Sequence, residues 1–183
     1  MNTDIERCHW CNLDNHLYVD YHDKEWGVPV HDDLNLFEML LLETFQAGLS
    51  WECVLNKRKA FRRAFDGFNF KAIASYDEEK LKALSLDTGI IRNKLKIKAA
   101  VTNARIFICI QEEYGSFDQY IWHFTQGKTI YEVGKATSPL SDDISADLRR
   151  RGMKFVGSTI IYSYLQAIGV INSHEPDCFL HGM

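Results

Sequence analysis

The sequence has no long apolar segment. No window approaches the roughly 18 uninterrupted apolar residues of a membrane span, and the first residues, MNTDIERCHWC, lack the apolar core of a signal peptide. These absences argue against a membrane or exported protein and predict a cytoplasmic one. No internal repeat or low-complexity linker is present either, so we expect a single, monomeric domain over 1–183.

The sequence also lacks an excess of positive charge, and its number of cysteines is odd. The net charge of -4 disfavours a protein that coats nucleic acid through bulk electrostatics, so any DNA contact must rest on local patches. Five cysteines are an odd number in a chain without an export signal, which argues against a disulfide framework. Metal binding or core packing must account for these thiols.

Proline is scarce, with three residues, while apolar residues recur at helical spacing behind capping side chains. This pattern predicts an all-α fold in which strands have little room. The predicted helix starts are Asp32 or Asp33, Ser50, Asp77, Ser116, and Ser141 or Asp142. The predicted helices cover 34–47, 51–65, 78–88, 92–114, 117–125, 142–151 and 155–168, and the stretch 126–139 is the loosest.

Thiols and imidazoles occur near both ends of the chain. Two of each form the ligand set of a closed, structural zinc site: Cys8, His22, His174 and Cys178. The H-x-x-x-C spacing in the tail would let both side chains reach one ion, which would tie segments 8–22 and 174–178 together. The alternative is that the four are unrelated surface residues. Cys11 also makes a C-x-x-C with Cys8, and His9, His16 and His181 are further imidazoles, so the choice of ligands stays open at this point.

An acidic residue interrupts an apolar helix face. Glu43 shares its face of the predicted helix with Leu36, Met39, Leu40 and Ala47. Burying an unpaired charge is costly. Either the protein supplies hydrogen bonds to this carboxylate, or its partner is a ligand.

Aromatic residues cluster around Glu43 in the sequence. They are Trp10, Tyr18, Tyr21, Trp26 and, directly after the turn Gln46-Ala-Gly-Leu-Ser, Trp51. Scattered aromatics often belong to a core. Beside a carboxylate, however, such rings suit a flat cationic ligand that stacks on them while the carboxylate takes a ring or exocyclic N–H. An alkylated purine has this chemistry.

A basic helical hairpin is predicted over 84–98. Gly89 would make the turn, and Arg92 and Lys94 open the following helix, so that backbone N–H groups and a helix N-terminus can face a DNA phosphate. This is how a helix-hairpin-helix element grips DNA without reading bases. The alternative is a solvated charged face.

With these residues together, the sequence resembles the 3-methyladenine DNA glycosylase I family of helix-hairpin-helix glycosylases over nearly its whole length. The marks of the resemblance are Arg7-Cys8 with Trp10, Tyr21-His22 to Trp26-Gly-Val-Pro29, Glu43 with Gln46-Ala-Gly-Leu-Ser-Trp51, Gly89-Ile-Ile-Arg92, Lys154-Phe-Val-Gly-Ser-Thr159, and His174 to Cys178. Two departures are Thr44-Phe45 before Gln46, which could reshape the edge of the pocket, and the additional thiol of Cys11.

The resemblance implies a helix-hairpin-helix over about 78–105 and one structural zinc per chain on Cys8, His22, His174 and Cys178. It implies a pocket in which Glu43 is the catalytic residue and recognises 3-methyladenine between the walls Trp10, Tyr18, Tyr21, Trp26 and Trp51. The implied activity is monofunctional hydrolysis of the N-glycosidic bond of that base in alkylated double-stranded DNA, which releases free base and leaves an abasic site.

No catalytic aspartate or lysine nucleophile is implied for this family. The turn Gly48-Leu49-Ser50 is the predicted wedge that fills the gap left by the extruded base, because it lies between the Glu43 helix and Trp51. Two rival interpretations remain: a zinc-stapled module that binds DNA without catalysis, and a relative that acts on another lesion.

Overall fold

The computed structural model describes residues 5–182. The predicted domain of 1–183 therefore includes residues, 1–4 and 183, that lie outside the described ones. The described part of the chain is mostly helical and contains α1 (His16–Lys24), α2 (Asp33–Gln46), α3 (Trp51–Ala64), α4 (Phe70–Ala74), α5 (Glu78–Leu86), α6 (Lys94–Tyr114), α7 (Phe117–His123), α8 (Pro139–Arg150) and α9 (Ser158–Ala167). A 3-10 turn spans Asp66–Phe68, and two short strands, β1 (Ile130–Tyr131) and β2 (Ile171–Asn172), pair in parallel.

Four predicted helix starts are confirmed in detail. The side chain of each capping residue accepts a hydrogen bond from a backbone N–H in the first turn, which satisfies one of the donors that a helix start leaves unpaired. The caps are Asp32 for α2, Ser50 for α3, Asp77 for α5 and Ser116 for α7.

Three helices begin at other residues than predicted. Helix α8 begins at Pro139 because Ser138 caps it and shares a capping box with Ser141, which was itself a predicted start. Helix α6 begins at Lys94 because Asn93 provides the cap. Helix α9 begins after Phe155, whose φ of 57° is incompatible with a right-handed helix.

The prediction missed two helices and both strands. Helices α1 and α4 were not expected, although Asn15 and Asn69 cap them by accepting bonds from backbone N–H groups. Strand β1 lies inside the stretch predicted to be loosest and pairs with β2 in the register Ile130 to Ile171. The all-α prediction is therefore right for the bulk of the fold and wrong for this small parallel pair.

Helix α2 is the centre of the molecule. All ten residues from Leu36 to Phe45 are buried, because α3, α6, α7 and α9 pack around the helix. Glu43 lies in this buried run. Among residues 5–182 no helix is both long and apolar enough to cross a membrane.

The N-terminal segment is held against the end of α9. The N–H of Gly27 donates to the carbonyl of Gln166 at 2.9 Å, and the N–H of Val30 donates to the carbonyl of Ile168 at 3.0 Å. Gly169 permits this approach, since a Cβ there would lie 2.3 Å from the carbonyl carbon of Val28. The segment that precedes α2 is thereby fixed beside the helix that leads into the tail.

Candidate active site and metal centre

One pocket of about 300 Å³ is lined by every side chain that the sequence predicted for base binding. These are Trp10, Tyr18, Tyr21, Trp26, Glu43 and Trp51. Helix α2 supplies the acid, α1 and the segments beside it supply four rings, and the start of α3 supplies the fifth. The structure therefore brings together residues that are up to 41 positions apart, from Trp10 to Trp51.

Sequence reasoning missed the opposite side of the pocket. This side comes from the loop after β1, from α9 and from the tail, and it contributes Val133, Gly134, Lys135, Ser163, Gln166, Ser173 and Glu175. Gln46, at the end of α2, also lines the pocket. Gln46 and Glu175 lie inside segments 46–51 and 174–178 but were not assigned to the pocket lining, and the other residues carry no local motif. The packing of α9 on α2 and the pairing of β1 with β2 bring this side of the pocket near Glu43.

The carboxyl group of Glu43 is buried without a partner. The residue is 2% exposed, and Oε2 has no hydrogen-bond partner among the described residues. Burial raises the pKa of Glu43 to about 8, so the group is mostly a neutral acid at pH 7 in the free protein. The Nε1 of Trp51, another residue of the pocket lining, is likewise buried and unpartnered among the described residues. Such groups are expected where a polar ligand completes the site.

The aromatic walls are packed against one another. The ring centroids of Trp10 and Trp26 lie 4.7 Å apart in an edge-to-face arrangement, and Trp10 also contacts Tyr18 at 5.3 Å. Tyr21 and Trp51 form a second pair at 5.1 Å. These contacts fix the rings before any ligand binds, which favours stacking of a flat base.

The turn after α2 is exposed at its tip. Gly48 has φ of 81°, in the region that favours glycine, and Leu49 is 42% exposed. Lys96 fixes the base of this turn, because its Nζ donates to the carbonyls of Phe45 at 2.8 Å and Ala47 at 2.6 Å. In the sequence Lys96 belongs to the basic run of the hairpin, but its buried side chain serves the C-terminal end of α2 instead.

The predicted hairpin joins α5 to α6. The N–H of Gly89 donates to Asp87 at 2.7 Å, and a Cβ on Gly89 would lie 3.1 Å from that of Ala60, so this turn packs closely against α3. Arg92 and Lys94 are both exposed at the start of α6. Since Lys96 comes from the same end of α6, the hairpin and the turn at Gly48 are neighbours.

Four side chains near the termini form a group that can hold a metal ion. Their ligand atoms all lie within 4.8 Å of one another, and all four residues are buried: Cys8, His22, His174 and Cys178. The Sγ of Cys178 lies 3.5 Å from Nε2 of His22 and 3.5 Å from Nδ1 of His174. Cys11 is not part of this group, although it too is buried.

The outer contacts of both imidazoles suit metal binding. Nδ1 of His22 bonds to Asp23 at 2.8 Å, and Asp23 is paired with Arg7 at 2.7 Å. Nε2 of His174 bonds to the carbonyl of Trp26 at 3.1 Å. Because these partners are acceptors, each ring carries its proton on the outer nitrogen and turns the other lone pair toward the thiols. Burial also lowers the pKa of both rings, which favours the neutral form that binds metals.

The metal group and the pocket share a wall. The ring of Trp10 lies 5.2 Å from that of His22, and the ring of Trp26 lies 4.7 Å from that of His174. The N–H of Glu175 donates to the Sγ of Cys8 at 3.4 Å. Any change in the metal group therefore acts directly on the side chains that border the pocket.

Comparison with known proteins identifies the family. The sequence matches the family described as methyladenine glycosylase over residues 10–181. The chain belongs to this family. It is 44% identical to DNA-3-methyladenine glycosylase 1 of Escherichia coli K12 over 181 residues, which cover 95% of this chain and 96% of that protein.

Solved structures of the methyladenine glycosylase family agree with the fold. A crystal structure of a 3-methyladenine DNA glycosylase I superposes with a TM-score of 0.92 at 42% identity, and the match covers 96% of this chain and 100% of that one. A 3-methyladenine DNA glycosylase I from Staphylococcus aureus, whose structure describes recognition of 3-methyladenine, matches with a TM-score of 0.87 at 31% identity over 90% of each chain.

Proposed function

We propose that this chain is a monofunctional DNA glycosylase of base excision repair, which hydrolyses the N-glycosidic bond of 3-methyladenine in alkylated double-stranded DNA. The observation that carries the proposal is the unpartnered carboxyl group of Glu43 on the floor of an aromatic pocket, in a chain that belongs to the methyladenine glycosylase family. The names of its relatives support the same substrate.

The chemistry needs little help from an acid. Methylation at N3 gives the base a positive charge, so when the bond between C1′ and N9 breaks, its electron pair neutralises the leaving base. The positive charge moves to C1′ and O4′ of the sugar, water adds to C1′, and the proton of that water leaves to solvent. The products are free 3-methyladenine and an abasic site, and the enzyme acts by extruding, orienting and electrostatically stabilising the nucleotide.

Recognition of the base rests on Glu43 and the five rings. A cation in the pocket favours the ionised form of Glu43, so the carboxyl group releases its proton and pairs with the base. The walls Trp10, Tyr18, Tyr21, Trp26 and Trp51 stack on the base. An unmethylated adenine lacks the cation–π attraction, which contributes roughly 0.5–2 kcal/mol, and it also has a stronger glycosidic bond.

DNA binding is assigned to two neighbouring turns. The exposed tip Gly48-Leu49 is the wedge that fills the gap left by the flipped nucleotide. Gly89, Arg92 and Lys94 form the phosphate-binding part of a helix-hairpin-helix over about 78–105. The hydrogen bonds of Lys96 support this assignment, since they connect the end of α2 to the start of α6.

We assign one structural zinc ion to the group Cys8, His22, His174 and Cys178. Two thiolates and two neutral imidazoles would supply four protein ligands, which would leave no position for a reacting water. The ion would join the N-terminal segment to the tail and hold Trp10 and Trp26 against the pocket. We further expect a cytoplasmic, monomeric enzyme whose partners are alkylated DNA and the released base.

A release assay tests the proposal. Alkylated duplex DNA is incubated with the protein, and free methylated bases are separated and quantified. Release of 3-methyladenine above the uncatalysed rate supports the enzyme. Tight DNA binding without release would favour a non-catalytic module, and release of another methylated purine in preference would assign a different lesion.

A further inference from the structure

Two charged side chains at the rim of the pocket are partly exposed to solvent, unlike the buried Glu43 at its floor. Glu175 and Lys135 both line the pocket, Glu175 from the tail and Lys135 from the loop after β1. Neither is part of the base-recognition set Trp10, Tyr18, Tyr21, Trp26, Glu43 and Trp51. The two side chains are 30% and 50% exposed, whereas Glu43 is 2% exposed. The pocket thus has a buried acid at its floor and charged groups at its mouth.

The depth of each charged side chain in the pocket determines which part of a bound nucleotide it would contact. A flipped nucleotide remains bonded to the DNA strand through its sugar, so it enters base first. The base then lies against Glu43, and the deoxyribose remains at the mouth. A partly exposed carboxylate of the pocket lining, such as that of Glu175, is therefore on the side where positive charge would develop on C1′ and O4′ as the glycosidic bond breaks.

The charge of Glu175 is available at this mouth. Lys135 is paired with Glu132, with Nζ and Oε2 2.5 Å apart, so its charge is balanced within the loop. The carboxylate of Glu175 accepts two bonds from His9, from the backbone N–H and from the ring, both at 2.7 Å and both to Oε2. The other oxygen, Oε1, takes no part in either of these bonds. The ring of His9 is 86% exposed, so water screens any charge that it carries.

We propose that Glu175 is a further catalytic residue of this glycosylase, whose carboxylate faces the deoxyribose of the flipped nucleotide and stabilises the cationic sugar. The inference rests on the proposed function, because it uses the same pocket and reaction. The base leaves with the electron pair of the C1′–N9 bond, the sugar carries the positive charge opposite Glu175, and water then adds to C1′ and loses its proton to solvent. The family resemblance assigns no carboxylate to this task.

Three variants test the role. Glu175→Gln removes the charge but keeps an oxygen that can accept from the backbone N–H of His9. Glu175→Asp keeps the charge and shortens the reach to His9. Asp177→Asn removes an equal charge two residues away, at an exposed position outside the pocket lining. Metal content and Tm are measured for each variant, so that a damaged fold is recognised.

Two readouts are compared. The first is the single-turnover rate of 3-methyladenine release, which we expect to fall about tenfold in Glu175→Gln and to change less than about twofold in Asp177→Asn. The second is binding of DNA that contains a cationic pyrrolidine in place of the abasic sugar, relative to DNA with a neutral tetrahydrofuran. The wild type and Glu175→Asp should prefer the cationic analogue, and Glu175→Gln should lose about tenfold of that preference.

The outcomes separate this inference from the proposed function. Unchanged rate and unchanged analogue preference in Glu175→Gln overturn the inference. Equal losses in Glu175→Gln and Glu175→Asp also overturn it, because they assign the residue to holding His9 in place. A wild type that releases no base overturns the proposed function, and the analogue binding then still reports whether Glu175 places negative charge at the mouth.

Discussion

At the scale of single residues, the two carboxyl groups that line the pocket lie in different environments, because Glu43 is 2% exposed and the side chain of Glu175 is 30% exposed. Glu43 is deeply buried, and burial raises its pKa to about 8. The group is therefore mostly a neutral acid at pH 7 in the free protein, and we expect it to ionise when a cationic base binds. A neutral carboxyl group avoids the desolvation penalty of a permanent buried charge, and under the proposed function it would still form an ion pair with a methylated base.

Replacement of Glu43 by glutamine should remove this ion pair. We expect Glu43→Gln to lower the single-turnover release of 3-methyladenine about 100-fold, because the amide has the shape of the acid but cannot become an anion. Glu52→Gln is the matched control, since Glu52 is bonded to Asn12 and Asn15 and does not line the pocket. Equal rates for wild type and Glu43→Gln would remove Glu43 from the reaction.

The same substitution should change the pH dependence of stability. The pKa of Glu43 is raised in the folded state, so between about 4.5 and 8 the folded protein holds a proton that the unfolded chain releases. The contribution of this group to stability is complete below that window and is lost as the pH rises through it. As the pH rises from 5 to 8, the free energy of unfolding of Glu43→Gln should therefore increase relative to that of wild type, by about a few kcal/mol.

Urea unfolding of both proteins at pH 5 and pH 8 measures this gain. A difference between wild type and Glu43→Gln that is the same at both pH values would show that Glu43 is not the titrating group. The comparison uses the difference between two proteins, so other titrating groups cancel.

The sequence predicted one side of the pocket and missed the other. Glu43 and the five rings are close in the sequence, and the acid stands out because it interrupts an apolar helical stripe. Lys135, Ser163 and Glu175 have no such local signal. Ser163 lies on α9, which packs against α2, whereas Lys135 follows β1 and Glu175 follows its partner strand β2. Contacts between distant parts of the chain therefore place all three residues at the pocket.

At the scale of secondary-structure elements, the hairpin between α5 and α6 is the predicted grip on the DNA backbone. Arg92→Ala and Lys94→Ala should each weaken binding to DNA of any sequence and reduce the slope of log K against log salt by about one. Lys24→Ala is the control, because Lys24 is paired with Asp20 on α1. Slopes that match wild type in both hairpin variants would refute the phosphate contacts.

Lys96 connects two elements that the sequence treats as separate. Its Nζ bonds to the end of α2, where the unpaired carbonyls of the last turn need donors. We expect Lys96→Met to destabilise the fold by about 2 kcal/mol and to slow base release, because the turn that carries Gly48 and Leu49 loses its support. Denaturant unfolding and the release assay measure the two effects, and unchanged values in both would contradict this role.

Helix starts were predictable where a short polar side chain precedes an apolar stripe, as at Asp32 and Ser50. Helix starts were not predictable where the capping residue does not directly precede an apolar stripe. Ser138 caps α8 three residues before Ser141, and Asn15 caps a helix that has little apolar periodicity. The pairing of β1 with β2 was not predictable, since two residues on each strand give no alternating pattern.

At the scale of the whole molecule, the group Cys8, His22, His174 and Cys178 brings the N-terminal segment and the tail together. We expect Cys178→Ser to lower the zinc content well below one ion per chain and to reduce Tm by several degrees, before any effect on the reacting groups. Cys11→Ser is the matched control, because Cys11 is buried nearby but stands outside the group. Metal analysis and thermal unfolding measure the result, and full zinc in Cys178→Ser would show that another residue replaces it.

The far separation of the four ligands has a consequence for the order in which the protein matures. Cys8 and His22 leave the ribosome on the order of ten seconds before His174 and Cys178, which follow more than 150 residues later. A growing chain that has not yet reached residue 174 therefore lacks half of the proposed metal shell and the part of the tail that lines the pocket. We expect such a chain to have no hold on damaged bases, so that binding of a lesion begins only after the tail has been made.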